Sequence, residues 1–119
     1  MIRALIAIIG LASFTGSVWA YHVIEQPEDA YELSLGVVQL PANERGTVIF
    51  TACSTCRTTT LRVTQQTQYF ANSEAIALED LRKIADGLRA TASGRNETDV
   101  YIYYDKASLR VNRLALSYR

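Results

Sequence analysis

Histidine, cysteine and net charge are all scarce in this sequence, and each scarcity removes a class of function. The single histidine is His22. Nucleophilic catalysis of the Ser–His–Asp or Cys–His kind needs an imidazole within hydrogen-bond reach of its nucleophile. One histidine near a chain end argues against both, and no catalytic residue is assigned. The only cysteines are Cys53 and Cys56. With His22 they make three ligands, where a structural zinc site takes four, so a pair of chains pooling four thiolates is the route left to such a centre. Haem attachment wants a histidine directly after the second cysteine, and residue 57 is arginine. No glycine-rich phosphate loop is present. The 12 Lys+Arg balance the 12 Asp+Glu, which leaves no basic field to hold nucleic acid. No cofactor, no metal and no nucleic-acid partner is therefore expected.

What is present reads as one exported domain. The chain has 119 residues, 49% of them hydrophobic, too apolar for a disordered tail and of single-domain length. Arg3 supplies an early positive charge, Ala4 to Leu11 is an unbroken apolar run, and the stretch ends in Val18-Trp19-Ala20. A charged start, an apolar middle and a small-residue end make a secretory signal peptide, with cleavage expected after Ala20. The competing reading is an uncleaved anchor, but the 17 residues from Ala4 to Ala20 sit at the low edge of what spans a bilayer. Cleavage leaves no stable membrane insertion and a periplasmic or secreted protein. It also removes Arg3, leaving 11 basic against 12 acidic residues.

Along the remaining chain, residues 21–44 read as an acidic leader with a possible short strand at Leu33 to Leu40. Residues 45–119 read as a single domain. Thr47 to Ala52 and Thr58 to Thr64 are β-rich, and Leu61 and Val63 alternate with Thr60, Arg62 and Thr64, the period of a half-buried strand. A hairpin is expected, with the cysteines in its connection. Gln66 to Phe70 continues as strand and Asn72-Ser73-Glu74 turns. Leu78, Leu81, Ile84, Ala85 and Leu88 recur at helical spacing, which predicts a helix from Ala77 to Ala90. Thr91 to Thr98 reads as loop. Asp99 to Asp105 alternates as a strand, and the short Lys106–Ser108 connection implies an antiparallel neighbour. In the last strand the apolar phase shifts between Val111 and Leu114, which predicts a bulge near Asn112-Arg113. The expected fold is α+β: a small antiparallel, strongly bent sheet or partly open β-barrel of about five strands, with one helix packed on it.

The Cys53-Ser-Thr-Cys56 spacing has two readings. In an exported protein oxidation is the default, and two residues three apart can bridge only if the chain reverses between them. That makes a structural disulfide, worth about 2 kcal/mol in the chain-entropy model. The alternative is a thiol–disulfide redox pair, with Cys53 as nucleophile and Cys56 as resolving thiol. Such sites place the first cysteine at a helix N-terminus, whereas here the motif lies between β-branched runs with only Arg57 as a positive neighbour.

Other residues carry weaker signals. His22, second in the cleaved chain, could hold copper or nickel with the free amine. Asp99 and Asp105 lie about 20 Å apart along a strand, too far for a glycosidase pair. Asn96-Glu97-Thr98 fits the glycosylation pattern of a eukaryotic secretory pathway. Tyr101 and Tyr103 share one strand face, and exposed aromatic rows serve as binding surfaces. Tyr101, Tyr103 and Arg57 are the candidate binding residues. The function expected is that of a non-catalytic binding or scaffold module whose partner is a protein or envelope component, with a thiol–disulfide redox protein as the alternative.

Overall fold

The computed structural model describes residues 28–119. The signal peptide expected at 1–20, and His22, lie outside the described residues. The fold is α+β: a mixed eight-stranded open sheet with one main helix. The strands are β1 (Glu28–Ser34), β2 (Val38–Gln39), β3 (Thr47–Phe50), β4 (Thr59–Arg62), β5 (Gln68–Ala71), β6 (Glu74–Ile76), β7 (Asp99–Asp105) and β8 (Arg110–Ser117). The helices are α1 (Leu78–Arg89) and the single-turn-and-a-half α2 (Ala92–Glu97).

The sheet runs β1-β7-β8-β4-β3-β2, and β5, itself paired with β6, joins β8 beside β4. Two features depart from the sequence reading. Among the described residues there are eight strands instead of about five, and the sheet is not wholly antiparallel, because β4 and β5 both run parallel to β8. Parallel neighbours need a crossover between them, and here it is supplied by β6, α1, α2 and β7 together. Alternation along a strand shows which residues face inward, not which strand lies alongside.

Residues 21–44 enter the sheet from Glu28 onward. β1 pairs along the whole of β7, from Glu28↔Asp105 to Ser34↔Asp99. A 3-10 turn at Leu35–Val37 then leads directly into β2, at the other end of the sheet. The two ends are thus only three residues apart, and across the core β1 meets β3, the strand next to the far end: the Tyr31 ring of β1 lies edge-on to Phe50 of β3 at 4.7 Å, and Tyr104 stacks on Tyr31 at 5.3 Å. The β2–β3–β4 limb is joined to β8 by the single pair Arg62↔Arg110.

The inner face holds the core, with Leu35, Val48, Phe50, Leu61, Val100, Ile102, Val111, Leu114 and Leu116 all buried. Helix α1 adds Leu78, Leu81 and Ala85, with Ile84 and Leu88 packed at the margin, which is the stripe its spacing predicts. Glu79 and Asp80 lie in the first turn and Arg89 in the last, favourable signs against the helix dipole. Glu79 pairs with Lys83 at 3.7 Å. Arg82 does not pair with Asp86 and instead donates to the Ala42 carbonyl, while Arg89 donates to the Val38 carbonyl at 2.6 Å. These two arginines satisfy carbonyls on and just beyond β2, a sheet edge that would otherwise be open to pairing.

Thr91 to Thr98, expected as loop, contains α2. The Thr91 hydroxyl accepts from the Gly94 N–H at 3.0 Å, an N-cap that offsets a sequence poor in helix formers. At the β5–β6 turn, Asn72 and Ser73 have φ of 48° and 71°, the two left-handed residues of a tight two-residue hairpin. The Asn72 side chain accepts from the Tyr118 N–H at 2.9 Å. The bulge lies where the phase shift predicts it. Tyr103 pairs with Arg113 and Tyr104 with Val111, so Asn112 is the extra residue.

Candidate functional site

The sheet has a second, outward face across β1-β7-β8-β5-β6. Because Val100 and Ile102 point into the core, Tyr101 and Tyr103 point away from it, and both are half-buried. Register places Glu32, Tyr101, Ala115, Phe70 and Ala75 in one row across these five strands. Ala30, Tyr103, Arg113 and Gln68 form the next row. Ala115 lies between Tyr101 and Phe70, and its small side chain leaves the floor of a groove between the two rings. The groove has a volume of about 390 Å³, with Arg113, Tyr103, Asn72 and Ser73 among its walls.

Its polar groups are tied to one another. The Arg113 guanidinium lies over the Tyr103 ring, 4.1 Å from its centroid, a cation–π contact. The same arginine reaches Glu28 at 3.4 Å, and Glu28 also accepts from the Asn112 amide at 2.8 Å. The Tyr101 hydroxyl donates to Glu32 at 3.2 Å, and that bond, with the nearby carboxylate charge, raises the phenol above its ordinary value. Asp105 accepts from Ser108 and from the Ala107 N–H, which hold its carboxyl below the usual range. The basic last strand and the acidic β1 thus meet within the chain.

Cys53 and Cys56 form a disulfide with Cα atoms 5.0 Å apart. They sit at the exposed tip of the β3–β4 hairpin, where the Cys56 N–H donates to the Cys53 carbonyl at 3.2 Å. Thr51 and Thr58 close the base of the tip through their hydroxyls at 3.2 Å. Neither cysteine opens a helix. Arg57 is exposed on this tip and does not line the groove. The structure therefore brings Tyr101 and Tyr103 together and leaves Arg57 apart. Tyr118, by contrast, packs against the core.

Phe70, Ala115 and Arg113 complete the groove, and sequence reading did not assign them to it. Period-two alternation could show that Phe70 and Tyr69 face opposite ways. It could not show that β5 lies parallel to β8, which is what sets Phe70 beside Ala115. Among the described residues no three His, Cys, Asp or Glu side chains converge as metal ligands, and no helix is long and apolar enough to cross a membrane. Comparison with known protein families, curated proteins and solved structures finds no match.

Proposed function

We propose that this chain is a small exported binding or scaffold module without catalysis, working through the outer face of β1-β7-β8-β5-β6. The observation that carries this reading is a row of half-buried aromatics, Phe70 and Tyr101 about the small Ala115 with Tyr103 alongside, in a groove that no helix residue lines. A groove of about 390 Å³ lies within the range of binding clefts. Aromatics with an arginine are the side chains enriched where proteins bind one another. Export to the periplasm or outside the cell is supported by the pattern of the first twenty residues. The contact between Tyr31 of β1 and Phe50 of β3, near the opposite end of the sheet, supports reading the fold as a partly open barrel. The Cys53–Cys56 bridge is then a structural clip on a hairpin.

The test is a photo-crosslinker placed at Tyr103 in cells that make the protein, with a control at Asp86 on the exposed side of α1. An adduct that forms at position 103 and not at position 86 is expected. Absence of any adduct specific to position 103 would sink the proposal.

A second reading, a thiol–disulfide redox protein, draws on one observation: both cysteines are exposed. The reduction potential separates the two. A value below about −300 mV marks a structural bridge, and one between about −120 and −230 mV belongs to the redox proteins.

A further inference from the structure

We infer that the occupant of the outer face is a second copy of this chain, in a two-fold dimer whose axis runs along the boundary between β7 and β8. The inference rests on the proposal that this face binds, and it names the partner.

The face is divided by charge along that boundary. On one side, β1 and β7 direct Glu28, Glu32, Asp99 and Asp105 outward. On the other, β8 directs Arg110 and Arg113 outward, and Arg62 of β4 stands beside Arg110. A symmetric dimer needs a surface that complements itself, each contact occurring twice. Rotation about an axis parallel to the strands keeps each residue at its height and exchanges the two sides. Asp105 then faces the second copy's Arg110, and Glu28 faces its Arg62. The Tyr103 ring comes over Arg113, and Tyr101 comes over Ala115, a large residue above a small one. An axis running across the strands would instead set β7 on β7 and β8 on β8, bringing Asp105 over Asp99 and leaving Arg110 and Arg113 without an acid opposite, which costs affinity. The charge division thus selects one symmetry.

Size sets the expected strength. About this axis β1, β7, β8 and β5 overlap with the second copy and β6 overhangs; four strands at about 4.8 Å and seven residues at about 3.4 Å make a face roughly 19 by 24 Å. Two such faces bury on the order of 900 Å², in the range of weak, transient interfaces, which means a reversible dimer. The in-chain Glu28–Arg113 pair is solvent-exposed, and exposed pairs are weak, so it gives way at little cost.

Sedimentation equilibrium of the disulfide-intact protein, as isolated, provides the test. Twice the chain mass is expected as the concentration approaches about 1 mM, with at least about tenfold weaker association when salt is raised towards 1 M. Arg110→Glu and Asp105→Arg should each weaken the dimer about tenfold or more. An equimolar mixture of the two variants should associate again, because in the mixed pair every acid at these positions faces a cation. Asp105 also braces the β7–β8 turn, so Ala115→Arg serves as a second variant: it leaves the turn intact and fills the seat of the second copy's Tyr101. A protein that stays monomeric throughout, or a dimer indifferent to these variants, overturns the inference. The position-103 crosslink separates this failure from the wider one. An adduct with a different molecule overturns the dimer and leaves the binding face standing, whereas no adduct overturns both.

Discussion

Tyr69 shows how a single buried group ties stability to pH. Its side chain is 6% exposed and its hydroxyl has no hydrogen-bond partner. Burial, with Glu44 nearby, pushes the phenol from 10.0 up to about 12. Tyr104 is pushed to about 12 by burial and by the Tyr31 phenol beside it. The folded protein therefore holds these protons more tightly than the unfolded chain does. That contribution to stability is fully present below the unfolded value of 10.0 and is lost as pH rises through about 12. A series of urea melts should show a midpoint that falls across this window. Tyr69→Phe should flatten part of the fall. At neutral pH the same variant should cost under about 1 kcal/mol or stabilise, since an unpaired buried hydroxyl is a penalty removed. A loss well above that would mean the hydroxyl is satisfied in solution.

At the scale of elements, two glycines in or beside the helices have opposite roles. Gly87 lies in α1 with nothing within 4 Å of where a Cβ would stand. Gly87→Ala should therefore stabilise by about 0.5–1 kcal/mol, through helix propensity and reduced freedom of the unfolded chain. Gly94 lies in α2, where a Cβ would overlap the Leu88 carbonyl. Gly94→Ala should destabilise and force α2 away from α1; thermal melts of the two variants should move in opposite directions. Only the first of these helices was legible in the sequence, because α1 carries an apolar stripe and α2 buries none of its residues. Its stop signals, Ser93 and Gly94, are those of a loop, and the Thr91 cap with the close seat against Leu88 overrides them. The Cys hairpin is a local element as well. Its disulfide closes a loop of a few residues, so Cys53→Ala with Cys56→Ala should cost about 2 kcal/mol and leave the fold intact. Loss of folding on reduction would show that the clip supports more than its own turn.

For the molecule as a whole, stability should be graded outward from β7 and β8, the central strands with the longest paired ladders. Native-state hydrogen exchange should find the amides of Val100, Ile102, Leu114 and Leu116 opening only with global unfolding. Those of residues 52–58, exposed at the hairpin tip, should open at far lower free energy. Uniform protection would contradict the arrangement in which the β2–β3–β4 limb joins β8 through one residue pair.

Residue pattern alone determined the α+β class, the single main helix and its buried face, the β7–β8 hairpin and the bulge at Asn112. Each of these is a local matter: periodicity reports which side of an element is apolar, and a bulge appears as a slipped phase. The position of the cysteines in a reversing turn was also readable, since their spacing and the flanking β-branched runs are neighbours in sequence. Only the tertiary structure decided that β4 and β5 lie parallel to β8, that Glu28–Ser34 forms an edge strand on β7, and that Phe70, Tyr101 and Ala115 form one row. Strand pairing over long separations is set by how the whole core closes, because an inward-facing residue carries no mark of which strand will lie beside it. For the same reason Arg57 looked like a companion of Tyr101 and Tyr103, while the arginine that joins them is Arg113, directly opposite Tyr103 on β8.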